Sequence, residues 1–131
     1  MKKSRLFNLV MLLILCSAAV AQAAVVRHLS AAETRELLIG RKVFLLDVRT
    51  PAEYQQVRVE GAHLIPMDQL TRRLPEIPAN QPVLVYCAVG SRSAEVARYL
   101  QGQGYREVYN MYGGIWAWQL RGYPVVQGGR K

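Results

Sequence analysis

The stretch Val83-Leu84-Val85-Tyr86-Cys87, followed by Ala88-Val89-Gly90-Ser91-Arg92-Ser93, decides how this chain is organised. Four apolar residues in a row, three of them β-branched or aromatic, predict a strand buried on both faces. The run stops at a cysteine, passes a glycine, and enters Ala94-Glu95-Val96-Ala97-Arg98-Tyr99-Leu100-Gln101-Gly102. There Ala94, Ala97 and Leu100, with Val96 beside them, share one helical face, and Glu95, Arg98 and Gln101 share another. A strand, a tight loop and a helix N-terminus surround the loop's contents with unpaired backbone N–H groups. Those contents include a thiol. In such a nest, with Arg92 near, a thiolate is expected to have a lowered pKa and to act as a nucleophile. A cysteine at a strand end also serves elsewhere as a small buried hydrophobe, but that use requires neither Gly90 nor Arg92.

Working outward, other apolar runs repeat the pattern. Val25-Val26-Arg27-His28-Leu29 predicts a first short strand, and Ser30-Ala31-Ala32-Glu33 is a capping box opening a helix that ends at Gly40, with Leu37 and Leu38 facing inward. Val43-Phe44-Leu45-Leu46 predicts a second strand, ending on Asp47. Thr50-Pro51-Ala52-Glu53 is another capping box with proline at the first helical position. His63-Leu64-Ile65 predicts a brief strand stopped by Pro66, Met67 to Leu74 a turn or two of helix, and Glu107-Val108-Tyr109-Asn110 a further strand. Gly113-Gly114 leads into a last helix from Ile115 to Leu120, with Trp118 in the core. Continuously apolar strands separated by helices predict an α/β fold: a mainly parallel sheet of about five strands with helices on both faces. Ligands of such sheets bind beyond the carboxyl ends of the strands, which places Asp47-Val48-Arg49 and Cys87 on one rim.

The 131 residues are enough for one domain with a real core. Residues 1–23 are expected to lie outside it. Met1-Lys2-Lys3-Ser4-Arg5 is a basic start, Leu6 to Val20 is apolar apart from Asn8 and Ser17, and Ala21-Gln22-Ala23 is a small-x-small cleavage site. This predicts a secretory signal peptide, a domain over 24–126, a loose tail over 127–131, and a periplasmic or otherwise exported product. Retention of the segment as a membrane anchor is the competing reading; the apolar run is short for a bilayer span of roughly 20 residues. Cleavage would remove Lys2, Lys3 and Arg5 and leave 14 basic against 9 acidic side chains, a net charge of +5 in place of +8. The bases are scattered and do not interleave with aromatics, which argues against nucleic acid as a partner and favours small anions. Cleavage would also remove Cys16, so Cys87 could form no internal disulfide.

Taken together, these segments resemble a known family, the single-domain rhodaneses, which are sulfurtransferases. The resemblance covers Leu45-Leu46-Asp47-Val48-Arg49-Thr50-Pro51-Ala52-Glu53-Tyr54, Gly61-Ala62-His63-Leu64-Ile65-Pro66, the loop from Cys87 to Ser93, and Gly113-Gly114-Ile115-Trp116-Ala117-Trp118. It implies a rhodanese-like fold and ping-pong transfer of a sulfane sulfur through a Cys87 persulfide. The donor would be thiosulfate or a similar small anion, and the acceptor cyanide or a thiol. No metal and no organic cofactor is implied. The amides of Ala88, Val89, Gly90, Ser91, Arg92 and Ser93 would stabilise the thiolate and persulfide, and the Arg92 guanidinium would hold the anionic donor. Asp47 and Arg49 are expected to form a salt-bridged brace beneath the loop. His63 is expected at the core or edge. Val57-Arg58 stands where many members carry Gly-His, and Arg58 is expected to be an exposed charge, with approach to the donor as the alternative.

Three rivals share some of these features. A phosphatase or arsenate reductase also sets a cysteine and an arginine around an oxyanion, but with one residue more than the four here, Ala88 to Ser91; the shorter loop suits a single sulfur better than a tetrahedral phosphate. A non-catalytic binding module would have no use for the cysteine. A persulfide carrier would share the chemistry and differ in its acceptor.

Overall fold

A computed structural model describes residues 25–129; the expected signal peptide lies outside the described residues. The elements in chain order are β1 (Arg27–Leu29), α1 (Ala31–Gly40), β2 (Phe44–Asp47), α2 (Pro51–Gln56), β3 (Arg58–Val59), β4 (His63–Leu64), α3 (Leu70–Arg73) between two 3-10 turns, β5 (Val83–Tyr86), α4 (Ser91–Gly102), β6 (Val108–Met111), α5 (Gly114–Leu120) and β7 (Val125–Val126). Both capping boxes form, Ser30 with Glu33 and Thr50 with Glu53, and start α1 and α2 where the sequence puts them.

Five strands make one sheet in the order β1-β6-β5-β2-β4, every neighbouring pair parallel. The apolar run before Cys87 is its centre: β5 pairs with β2 on one side and β6 on the other. Its side chains alternate between two separate cores. Val83, Val85 and Cys87 face Val96, Ala97 and Leu100 of α4, while Leu84 and Tyr86 face Ala31 of α1 and Ile115 and Trp118 of α5. All of β5 is solvent-free because helices cover both faces, and this explains an apolar run with no polar alternation. Each large apolar side chain buried this way contributes about 1.5–3 kcal/mol, so α4 is held to the sheet mainly by Val96 and Leu100.

The ends of elements shift from expectation by a residue or two. β6 begins at Val108 and reaches Met111, whose side chain is fully buried, and Ile65 leaves β4 while its N–H still bonds the Asp47 carbonyl at 3.0 Å. A second sheet was not anticipated: β3 and β7 pair antiparallel, Arg58 opposite Val126 and Val59 opposite Val125. Strands of two residues are too short to show a period. This pairing corrects the expectation for Arg58, which is half-buried. Its guanidinium lies 4.6 Å over the Tyr54 ring and donates to the carbonyls of Tyr54, at 3.2 Å, and Gly128. The described part of the tail, residues 127–129, is therefore anchored at Gly128 although it is exposed and irregular.

Candidate active site

Cys87 follows the last residue of β5, and three residues later Gly90 caps α4 with φ of +102°. That turn folds the chain back over the sulfur. The Gly90 N–H donates to Sγ at 3.1 Å and the Ser93 hydroxyl donates to it at 3.3 Å. Cys87 and Ser93 are both fully buried. Burial pushes the thiol up, but the Ser93 hydroxyl and the amides of Ser93, Gly90 and Val89 together outweigh it, and the net displacement is downward. Ala88 is half-buried, while Val89 and Ser91 point to solvent.

The loop rests on the start of α5. Ile115 N–H donates to the Cys87 carbonyl at 2.9 Å, and Trp116 N–H to the Ala88 carbonyl at 3.2 Å. The approach is so close that a Cβ on Gly114, φ +56°, would lie 2.4 Å from the Ala88 oxygen and 2.5 Å from that of Cys87. A Cβ on Gly90 would lie 3.0 Å from Gly113 N. The glycine pair is thus a platform for the cysteine loop. Around it Val89, Tyr112 and Trp116 are all more than half exposed, whereas Trp118 is buried, with its Nε1–H donating to the Pro124 carbonyl at 2.9 Å.

Asp47 and Arg49 form a buried ion pair on the same rim. Arg49 Nε lies 2.9 and 3.1 Å from the two carboxylate oxygens and Nη2 lies 2.6 Å from Oδ2, with both side chains at most 3% exposed. Arg49 Nη2 also donates to the Val57 carbonyl at 2.7 Å. The pair therefore ties the end of β2 to the segment after α2. Tyr86, opposite Asp47 in the sheet, accepts the Val59 N–H on its hydroxyl at 3.1 Å. Burial, then the Asp47 charge, pushes that phenol upward, and it stays protonated. His63 is exposed at the sheet edge, its ring stacked on Phe44 at 4.5 Å.

Arg92 is not a solitary cation. Its two terminal nitrogens donate to the two Glu53 oxygens at 3.0 and 2.9 Å, across 39 residues of sequence. This pairing is the main reason that the Glu53 carboxyl is pushed down to about 2. In the sequence Glu53 belongs to the capping box of α2. No local spacing connects it to Arg92, and only the sheet order brings the two together.

Comparison with known proteins places these features in one family. The sequence model of the rhodanese-like domain matches residues 30–121. The chain belongs to the rhodanese-like domain family. Among relatives of this rhodanese-like domain, a protein from Allochromatium vinosum named sulfurtransferase is 44% identical over 84 residues, covering 64% of this chain and 78% of its own. The thiosulfate sulfurtransferase GlpE of Pseudoalteromonas translucida is 34% identical over 93 residues, covering 71% and 89% respectively. The crystal structure of a rhodanese-related protein from Thermoplasma volcanium superposes with a TM-score of 0.70 at 32% identity, covering 76% of this chain and 97% of that one. The rhodanese-like fold expected from the sequence is the fold observed.

Proposed function

We propose that this rhodanese-like domain is a sulfurtransferase that carries a sulfane sulfur on Cys87. The observation that supports this most is the cradle around Sγ: a fully buried thiol with a hydroxyl and backbone amides aimed at it and its pKa lowered. Such a site stabilises negative charge on one sulfur atom, first the thiolate and then the outer sulfur of a persulfide. In the donor step the Cys87 thiolate attacks the outer sulfur of thiosulfate, a sulfur–sulfur bond forms to Sγ, and the bond to the sulfonate sulfur breaks with its electron pair, releasing sulfite. In the acceptor step cyanide or a thiolate attacks the outer sulfur, and the electron pair returns to Sγ. Cyanide then leaves as thiocyanate. The net reaction needs no oxidant or reductant. Arg92 is the side chain proposed to hold the sulfonate.

Names of relatives support transfer of sulfur, and one of them supports thiosulfate as donor. The test is intact-protein mass spectrometry after exposure to thiosulfate. The wild type is expected to gain one sulfur atom and to lose it to cyanide, and Cys87→Ser to gain none. A wild type that gains no sulfur refutes the mechanism. An exported location is part of the same proposal, resting on the signal-like residues 1–23; the N-terminal sequence of the protein recovered outside the cytoplasm checks it, with Ala24 expected first.

A further inference from the structure

A guanidinium already in place binds an oxyanion with less entropic loss than a free one. A free arginine side chain carries about 2 kcal/mol of rotamer entropy, which a ligand must otherwise overcome on binding. Arg92 is in place. Glu53 takes one N–H from each terminal nitrogen. The Nε–H and the outer N–H of each terminal nitrogen have no partner among the described residues. The carboxylate that grips it is itself fixed, since Thr50 donates to Oε1 from its hydroxyl at 3.1 Å and from its backbone N–H at 3.3 Å. Glu53 therefore stands between the cap of α2 and the first turn of α4, held on both sides. Arg92 lies in the first turn of α4, between Gly90 and Ser93, which both donate to Cys87 Sγ. The pair is about one-third exposed on each side, and ion pairs in such surroundings add little to stability, about 0–1 kcal/mol. Stability is therefore a weak reason for the pair to form.

We propose that Glu53 is a positioning residue for the donor step: it clamps Arg92 by one edge of the guanidinium, so that the remaining N–H groups meet the sulfonate of the donor beside Cys87. This rests on the sulfurtransferase reading above. The clamp acts on an oxyanion-bearing donor and not on cyanide, which carries no sulfonate. Its effect is therefore confined to one half of a ping-pong cycle, in which the specificity constants for donor and acceptor are measured separately.

The experiment measures kcat/KM for thiosulfate and for cyanide in the wild type, Glu53→Ala, Glu53→Gln, Arg92→Ala and the double variant. Glu53→Ala is expected to shift the ratio of the two constants at least tenfold against thiosulfate. Glu53→Gln, which keeps one acceptor oxygen, is expected to fall between. In the Arg92→Ala background, Glu53→Ala is expected to change nothing further, because Glu53 acts through Arg92. Equal loss of both constants, a gain with thiosulfate in either single variant, or a further loss in the Arg92→Ala background overturns the proposal. A wild type that takes no sulfur from thiosulfate overturns the underlying reading, and that result is distinct from a working wild type with indifferent variants.

Discussion

The Ser93 hydroxyl donates to Cys87 Sγ at 3.3 Å, from a side chain as fully buried as the sulfur itself. Both side chains are shielded from solvent, and a hydrogen bond to a charged group is worth about 1.5–3 kcal/mol. Because it favours the charged form, its loss raises the pKa. Ser93→Ala is expected to move the thiol upward. The pH dependence of Cys87 alkylation by a small reagent reads this directly. The wild-type midpoint is expected below the ordinary thiol value of about 8.5. A Ser93→Ala profile that overlays the wild type would show that the loop amides alone set the acidity.

Two glycines separate backbone strain from steric contact. Gly61 has φ of +82° with nothing near its absent Cβ, whereas Gly114 has φ of +56° with the Cys87 and Ala88 carbonyls in the way. Gly61→Ala is expected to cost only the left-handed backbone penalty, roughly 1–2 kcal/mol, and to leave sulfur transfer intact. Gly114→Ala must also displace the cysteine loop or the start of α5. Thermal denaturation is expected to show the larger loss, and persulfide formation is expected to fall by about tenfold or more, the scale on which small misplacements of reacting groups act. Equal behaviour of the two variants would mean that the loop accommodates a methyl group and that the platform is looser than its contacts suggest.

The sequence reveals local matters well and pairings poorly. The placing of Cys87, Gly90 and Arg92 along one strand-loop-helix segment is legible because the segment is continuous, and the Asp47–Arg49 ion pair because the two residues are two apart at a strand end. The order β1-β6-β5-β2-β4 was not legible, since buried parallel strands look alike and their apolar runs carry no address. The role of Gly113-Gly114 under the loop and the grip of Glu53 on Arg92 depend on that order. The half-burial of Arg58 is illegible for a related reason: Tyr54 is a local partner four residues back, but Gly128 reaches it only through the β3–β7 pair.

Arg49 and Asp47 give a third test. Removing one partner of a buried pair leaves an uncompensated charge, which costs about 3–5 kcal/mol. Arg49→Ala is therefore expected to lower the melting temperature by about 10 °C or more, given the several degrees per kcal/mol of a domain this size. Replacing both residues with apolar ones of similar volume is expected to recover most of that loss, because the desolvation of both charges disappears together. If the double variant is no more stable than Arg49→Ala, the pair's bonds to the Arg49 backbone N–H and the Val57 carbonyl matter more than its charge balance.

The Glu53 carboxyl supplies the pH dependence. Its folded pKa is depressed to about 2 from the ordinary carboxylate value, chiefly by Arg92. A depressed acid contributes its stabilisation in full above the unfolded pKa, near 4.5, and loses it as pH falls through the folded value. Comparing urea unfolding of the wild type and Glu53→Gln should thus show a difference that is constant near neutrality and shrinks between about pH 4.5 and pH 2. Partial exposure limits the difference to about 1 kcal/mol or less. A difference that stays level through that window would mean that Glu53 is not charged against Arg92 in solution, and the clamp would then have no electrostatic basis. A difference much larger than this would mean that the pair holds α2 to α4 as a structural tie, and the loss of donor specificity in Glu53→Ala would need to be judged against that loss of stability.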